Sequence, residues 1–307
     1  MNKHAPKLNK VILYYGFTPI SDPDAMLLWQ KQLCTTLGLT GRILISKHGI
    51  NGTLGGEMAA LKKYVRQTRS YPGFKKMGFK WSEGTGNDFP RLSVKVKSEL
   101  VAFGDPDAIE VDENGVVGGG KHIRPDQLEK LVQERGDDVV FFDGRNAFEA
   151  EIGKFKDAII PDVTTSRDFI QEIESGKYDH IKDKPVVTYC TGGIRCEILS
   201  AVMVKNGFKE VYQIDGGIVK YGNAFGDDGL WEGSLYIFDS RMKMDFSDHT
   251  KVIGKCEKCE AATNQFRNCN TASCHQLILL CDACADLDSN LSCNHDPSKA
   301  RSAELIG

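Results

Sequence analysis

Apolar positions in the first hundred residues follow two patterns, one with the period of a strand and one with the period of a helix. Short apolar runs broken by Gly and Asn predict strands, and apolar residues three and four apart predict helices. The order is strand, helix, strand–turn–strand, helix and two further strands. This order predicts a split βαβ, ferredoxin-like (acylphosphatase-like) domain of the α+β class over residues 8–104. The segments, in order, are 10–16, 21–38, 41–56, 57–70, 74–84 and 91–104.

A different pattern begins after an acidic and then glycine-rich segment, residues 105–124, which is predicted to be a linker. Beyond it, short and wholly apolar runs alternate with amphipathic helices, as in a parallel sheet covered by helices. We therefore predict an α/β domain over residues 125–236 and a C-terminal extension over 237–307. The predicted strands are 137–145, 184–190 and 210–217, and the predicted helices are 124–136 and 197–208.

Chemically useful side chains stand at the ends of these predicted parallel strands. Asp143 and Arg145 follow the first strand, and Cys190 ends the second. Ligands of open α/β sheets bind beyond the carboxyl ends of the strands, so one cleft is expected to contain all three residues.

Cys190 opens the sequence "CTGGIRCE", which leads from a strand into a helix. Gly192 and Gly193 leave room for a ligand and allow positive φ. Converging N–H groups and a helix N-terminus favour a thiolate, the species that nucleophilic catalysis needs. The C-x4-R spacing is one residue shorter than the C-x5-R of cysteine phosphatases. The smaller loop of N–H groups suits the terminal sulfur of a persulfide better than a phosphate. The alternative is a buried cysteine before an ordinary glycine turn. The N–H groups belong to Thr191, Gly192, Gly193, Ile194 and Arg195.

Seven of the ten cysteines lie within residues 256–293. Without a secretion signal, such a cluster predicts a metal site rather than a disulfide framework. Two CxxC pairs with 21 residues between them suit one tetrahedral zinc, and the other ligands suffice for a second. The four ligand pairs permit a cross-brace, in which the first pair joins the third and the second joins the fourth, or two sequential sites. His275, next to Cys274, competes for one ligand position. The alternative is a reduced, disordered tail that binds no metal. The candidate ligands are Cys256, Cys259, Cys281, Cys284, Cys269, Cys274, Cys293 and His295.

Charge is distributed unevenly along the chain. Residues 1–100 contain 16 Lys and Arg against 6 Asp and Glu, net +10, whereas residues 101–307 contain 23 against 36, net −13. A basic first third favours a polyanionic partner, with a solvated basic surface as the alternative. No apolar run approaches the length of a membrane span and no signal-peptide pattern is present, so a cytoplasmic protein without a membrane partner is expected.

Four motifs carry a family resemblance: "GINGT" (49–53), "CTGGIRCE" (190–197), "IDGGIVKY" (214–221) and "LWEGSLYIFDSR" (230–241). Residues 125–236 resemble a rhodanese domain, and residues 8–245 together resemble the rhodanese-containing tRNA uridine hydroxylases. The resemblance implies hydroxylation of the wobble uridine of tRNA at C5, giving 5-hydroxyuridine, with O2 as co-substrate. It also implies that Cys190 acts through a persulfide.

Other residues near the loop have two candidate roles each. Arg195 is expected to support the loop through a carboxylate such as Asp143 or Glu197, or else to lie on the surface. Arg145 either faces the cleft or makes a structural ion pair, and Cys196 is either a second thiol that resolves the persulfide or a packing residue. Candidates for tRNA phosphate contacts are Lys47, Lys62, Lys63, Arg66 and Arg69.

Motifs for a flavin, a nicotinamide, a facial-triad iron or a covalently attached haem are not found in the sequence, so no cofactor is evident for the redox step. A sulfur donor or a reductant protein is therefore a candidate partner beside tRNA. Two other functions stay open: a sulfurtransferase that passes sulfur from Cys190 to a small acceptor or to tRNA, and a tRNA- or protein-binding module without catalysis.

Zinc in the tail is expected to be structural, because four thiolates leave no open position for water. Residues 256–307 contain four Lys and Arg against seven Asp and Glu, which favours a lobe packed on the rhodanese domain over a tRNA-binding surface. From the sequence alone, unfolding of this lobe is expected to leave the chemistry at Cys190 unchanged.

Overall fold

A computed structural model of the chain describes residues 8–270, 274, 276–287 and 291–292. The chain divides into two compact units, Met1–Gly118 and Gly119–Gly307. Within the described residues, every helix is too short or too polar to span a lipid bilayer.

The first unit is a sheet with two helices. Its elements are β1 (Asn9–Phe17), α1 (Pro23–Leu37), β2 (Thr40–Ser46), β3 (Gly49–Glu57), α2 (Met58–Thr68), β4 (Phe79–Glu83), β5 (Leu92–Val96), β6 (Val111–Asp112) and β7 (Gly115–Val116). The strand order β4-β1-β3-β2-β5 is antiparallel except for β5, which runs parallel to β2. The first four strands and two helices confirm the predicted split βαβ arrangement.

Local sequence signals fix the ends of α1. The Asp22 carboxylate accepts a hydrogen bond from the Ala25 N–H at 2.9 Å, and Pro23 occupies the first turn, where no N–H is needed. The helix ends at Gly38, whose φ of 63° is left-handed. These signals are read from the sequence, so the predicted and observed helices agree closely.

The glycines of "GINGT" allow β3 to pack closely against β1. A Cβ on Gly49 (φ 142°) would lie 2.0 Å from the backbone oxygen of Gly16, and a Cβ on Gly52 would lie 2.3 Å from the hydroxyl of Tyr14. Since Gly52 and Tyr14 are directly paired in the sheet, a larger residue would force the strands apart. This part of the family motif therefore has a packing role.

The second unit is built around a parallel sheet. Its elements are β8 (Lys121–Ile123), α3 (Pro125–Arg135), β9 (Val140–Asp143), β10 (Gly153–Phe155), α4 (Phe169–Glu174), β11 (Pro185–Tyr189), α5 (Ile194–Lys205), β12 (Glu210–Ile214), α6 (Gly217–Phe225), β13 (Trp231–Gly233), β14 (Leu235–Tyr236), β15 (Lys243–Met244), β16 (Phe266–Asn268), β17 (Leu277–Leu279) and α7 (Asp282–Ala285). The order β8-β12-β11-β9, parallel throughout, confirms the predicted α/β sheet. Short 3-10 helices in the chain include Ala147–Glu151.

Strand β8 lies inside the segment 105–124 that the composition predicts to be a linker. Its pairing with β12 adds an edge strand to the parallel sheet. Of its three residues only Ile123 is buried, and three residues are too few to show a strand period in the sequence.

Candidate active site and cysteine cluster

Parallel pairing of β9 with β11 sets the position of the site. Tyr189 stands opposite Asp143 in the register of the two strands, so Cys190 leaves the sheet beside the end of β9. The chain then turns through Gly193, whose φ of 101° suits glycine, and α5 begins at Ile194. The strand end, the glycine turn and the helix start follow one another in the order that the sequence predicts.

The Cys190 side chain lies at the centre of this turn. Its Sγ accepts a hydrogen bond from the N–H of Gly193 at 3.1 Å, and the residue is fully buried. Burial by itself would raise the pKa of the Cys190 thiol, because it disfavours the charged form. The thiol of Cys196 and the charge of Arg195, with backbone N–H groups, outweigh burial and lower that pKa to about 6. Cys190 is therefore a thiolate at neutral pH.

Cys196 is the protonated partner of this thiolate. Burial and the neighbouring sulfur of Cys190 raise the pKa of the Cys196 thiol well above its ordinary value. The structure thus brings together the two thiols of "CTGGIRCE", with one ionised and the other able to donate a hydrogen bond to it.

Arg195 is anchored by a residue that the sequence analysis does not identify. Its Nη1 and Nη2 donate to the two carboxylate oxygens of Glu149 at 2.5 and 3.0 Å, and Nη2 also donates to Thr191 Oγ1 at 3.2 Å. Glu149 is fully buried in the 3-10 helix Ala147–Glu151. Arg195 thus pairs with a carboxylate, but its hydrogen-bonded partner is Glu149 in place of the expected Asp143 or Glu197.

Asp143 binds Arg145 instead. Nε and Nη2 of Arg145 donate to the two Asp143 oxygens at 2.9 and 2.6 Å, and Nη2 also donates to the carbonyl of Gly153 at 2.8 Å. Both side chains are buried, and the guanidinium lies 5.1 Å from the ring centroid of Trp231. Of the two roles considered for Arg145, the structure shows the ion pair, which holds the end of β9 and does not open into a cleft.

Glu197 belongs to a polar group beneath α5. Its Oε2 accepts from Gln213 at 3.1 Å, and its Oε1 lies 3.4 Å from Nε2 of His122 on β8. Since β8 and β12 supply these partners, Glu197 ties α5 to the edge of the parallel sheet.

Gly217, in the motif "IDGGIVKY", packs directly on the active loop. A Cβ at Gly217 (φ 66°) would lie 2.4 Å from the backbone oxygen of Cys190 and 2.7 Å from the N of Gly193. The N–H groups of Ile218 and Val219 donate to the carbonyls of Cys190 and Thr191 at 3.0 and 3.1 Å. The start of α6 therefore packs on the loop and hydrogen-bonds to its carbonyl groups. The glycine pair Gly216–Gly217 in the sequence was a signal for this close packing.

Four of the eight candidate metal ligands converge in the tail. One ligand atom from each of four cysteines lies within 4.8 Å of the others, and the sulfurs of Cys259 and Cys281 are 3.6 Å apart. Tetrahedral zinc–thiolate sites have sulfurs about 3.8 Å apart, from Zn–S bonds of about 2.3 Å, so the set fits zinc. The converging residues are Cys256, Cys259, Cys281 and Cys284.

The other four candidates are not part of this cluster as described. Cys269 is buried beside it, and Cys274 packs against the same group of apolar residues. Cys293 and His295 lie outside the described residues, as does the competitor His275. The cluster therefore combines the first ligand pair, Cys256 and Cys259, with the third pair, Cys281 and Cys284. The second pair, Cys269 and Cys274, is not among its four ligands.

The side chains of the candidate phosphate-binding residues differ in their contacts with the rest of the protein. Lys62, Lys63 and Arg66 are exposed on α2. Lys47 makes an exposed ion pair with Asp107 at 3.2 Å. Arg69 donates from Nε and Nη2 to the carbonyl of Met77 and lies 5.3 Å from the ring centroid of Phe79, which fixes its side chain against its own unit.

Family models match three parts of the chain. They are described as the UPF0176 acylphosphatase like domain over residues 9–100, the rhodanese-like domain over 124–224 and the rhodanese C-terminal region over 232–296. The first and second agree with the folds observed for the two sheets.

Full-length relatives carry one shared name. The chain is 63% identical to the tRNA uridine(34) hydroxylase of Corynebacterium jeikeium, over the whole of both chains. It is 66% identical to that of Corynebacterium urealyticum, over 91% of this chain and 94% of the relative. It is 64% identical to that of an Arthrobacter species, over 93% and 97%.

Proposed function

The chain belongs to the tRNA uridine(34) hydroxylase family, and we propose that it hydroxylates C5 of uridine 34 in tRNA, giving 5-hydroxyuridine, with O2 as the oxygen source. The observation that carries this proposal is the identity of 63% over the full length of a relative of that name. The buried thiolate of Cys190, held in a loop of backbone N–H groups, supports it as the reactive centre.

Cys190 is proposed to act as a persulfide. Its Sγ is buried within the loop, and the outer sulfur of a persulfide would extend the reactive atom by about 2 Å, the length of an S–S bond. The N–H groups of residues 191–195 would stabilise the negative charge on sulfur, and Arg195 would fix the loop through Glu149. Cys196 would supply a proton or a second thiol to the same centre.

The reaction is proposed to be of the monooxygenase type, which makes the protein an oxidoreductase. One oxygen atom of O2 enters the C5–H bond of uridine, and the other leaves as water with two electrons and two protons. A reductant protein or a small thiol would supply these electrons, and a sulfur donor would load Cys190.

The first unit, with proposed domain bounds of 8–104, is assigned to tRNA binding. It carries the net positive charge, and exposed Lys62, Lys63 and Arg66 share one helix. Contacts between these cations and phosphates release counterions, so binding should weaken as salt rises. With tRNA as its substrate, the protein is proposed to act in the cytoplasm.

Zinc is proposed to bind the cluster of Cys256, Cys259, Cys281 and Cys284 as a structural ion. The four thiolates would fill its coordination shell, and the metal would hold together a lobe with few apolar residues of its own. A second ion would use Cys269, Cys274, Cys293 and His295.

Nucleoside mass spectrometry of tRNA tests the proposal. A bacterial strain lacking its own hydroxylase is complemented with the wild-type gene, with Cys190→Ser and with Cys196→Ser. Wild type should restore 5-hydroxyuridine derivatives, Cys190→Ser should restore none, and Cys196→Ser should restore part. Restoration of thiouridine instead would identify a sulfurtransferase, and full complementation by Cys190→Ser would exclude the thiol mechanism.

A further inference from the structure

Strand β17 joins the cysteine cluster to a group of aromatic rings, because its side chains alternate between two faces. Leu277 and Leu279 pack with the rings of Phe148, Tyr236 and Phe266. Ile278 and Leu280 pack with Cys256 and Cys269 on the other face. The backbone of Leu279 also bonds to Glu257, next to Cys256, through N–H···O contacts of 2.9 and 3.0 Å. The position of these rings therefore depends on the fold around the cysteines.

The rings form a connected cluster with edge-to-face geometry. Phe148 meets Tyr236 at 5.0 Å between centroids and Phe266 at 5.7 Å, and Tyr236 meets Phe266 at 5.5 Å. Tyr236 also meets Phe238 at 4.9 Å and 87°. Such pairs resist rotation, since each ring edge rests on the face of another.

Two members of the cluster are connected to Arg195, one through its neighbour in the chain and one through its ring. Phe148 immediately precedes Glu149, whose carboxylate binds the guanidinium of Arg195. Phe238 places its ring 5.7 Å from the same guanidinium, within the range of a cation–π contact. Arg195 is thus contacted by a carboxylate and by an aromatic ring. Glu149 follows Phe148 directly in the chain, and Phe238 is itself a member of the aromatic cluster.

We propose that Phe148 and Phe238 are positioning residues, through which the folded cysteine lobe (residues 256–270, 274 and 276–285) fixes Arg195 and thereby the electrostatic environment of Cys190. This coupling differs from the independence expected from the sequence. It concerns the state of one thiol and holds whichever substrate the enzyme takes.

The thiolate absorbance of Cys190 near 240 nm, titrated against pH, tests the coupling without tRNA or O2. Each variant is measured as the difference from the same variant carrying Cys190→Ser, which cancels the other thiols. In Phe238→Leu and Phe148→Leu the midpoint should shift upward by about half a unit or more, because a less fixed Arg195 stabilises the thiolate less. Cys256→Ser, which disrupts the lobe, should shift it in the same direction.

Two variants serve as controls. Phe238→Tyr keeps a ring over Arg195 and should keep the wild-type midpoint. Phe208→Leu removes a buried ring that also lies 5.7 Å from a cation, Lys182, but near the far end of α5. Its midpoint should not move. If Phe148→Leu does not fold, the titration midpoint of Phe238→Leu alone tests the proposal, because the Phe238 ring is partly exposed and its loss should be tolerated. Unchanged midpoints in folded Phe238→Leu, or an equal shift in Phe208→Leu, would overturn the proposal.

Discussion

Arg195 and Glu149 form a buried bidentate ion pair across 46 residues of chain, with Nη1–Oε1 and Nη2–Oε2 distances of 2.5 and 3.0 Å. Arg195 stands in the first turn of α5, directly after the active loop, and Glu149 stands on a 3-10 helix that follows β9. The pair therefore connects the loop to a separate element of the same unit, and its loss should affect both stability and the reactivity of Cys190.

Glu149→Gln should destabilise the protein by about 3 kcal/mol, because it removes the carboxylate that pairs with the buried guanidinium of Arg195. Urea denaturation measures the change. Glu134→Gln, at an exposed pair with Lys130, should change stability by less than about 0.5 kcal/mol. Equal effects of the two substitutions would contradict a structural role for the buried pair.

Loading of Cys190 by a sulfur donor should depend on pH through the thiolate of Cys190, which is the nucleophile of that step. The pKa of this thiol is lowered to about 6, so the ionised form predominates above pH 6 and is lost as the pH falls below it. The rate of persulfide formation at limiting sulfur donor should be nearly flat from about pH 7 upward and should fall about tenfold for each unit well below 6. A rate that rises only near pH 8–9, where ordinary thiols ionise, would show that the loop does not stabilise the thiolate.

Gly217→Ala should strongly reduce activity, and Gly38→Ala, at the end of α1, provides the control. Both glycines have left-handed φ, 66° and 63°, so each substitution costs about 1 kcal/mol of backbone strain. At Gly217 the new methyl group would also lie 2.4 Å from the Cys190 oxygen, whereas no atom lies within 4 Å at Gly38. Thermal unfolding should therefore show about 1–3 kcal/mol more destabilisation for Gly217→Ala. Similar values for both variants would mean that α6 does not hold the loop.

Charge reversal on α2 should weaken tRNA binding in a salt-dependent manner. Replacement of Lys62, Lys63 and Arg66 by Glu should lower the slope of log affinity against log salt by about 2–3, since each lost phosphate contact removes about 0.9. Filter binding over a salt series measures the slope. Lys130→Glu, at an exposed position of the second unit, is the control. An unchanged slope in the triple variant would place the tRNA surface elsewhere.

Purified protein should contain one to two zinc ions per chain. Cys259→Ser should lose the ion of the described cluster and make the tail sensitive to protease. Cys274→Ser should lower the zinc content only if the second set of ligands also binds a metal. A metal-free protein with a protease-resistant tail would contradict the assignment of zinc.

The sequence determined the features that depend on neighbouring residues. The Cys190 loop is a strand end, a glycine turn and a helix start in direct succession, so its conformation follows from the order of residue types. The α1 helix carries its own cap at Asp22 and its own stop at Gly38. The CxxC spacing likewise identified the cysteines that converge, because each pair lies within one short turn.

Only the tertiary structure decided which distant groups meet. The sequence pointed to Asp143 and Glu197 as partners of Arg195, whereas the docking of a 3-10 helix made Glu149 its hydrogen-bonded partner. The ring of Phe238 meets Arg195 for the same reason. Ion pairs and ring contacts depend on distance in space, and residues separated by 40 or more positions have no periodicity that would reveal their contact. Their partners are set by the packing of whole elements, which is why they became visible only in the folded chain.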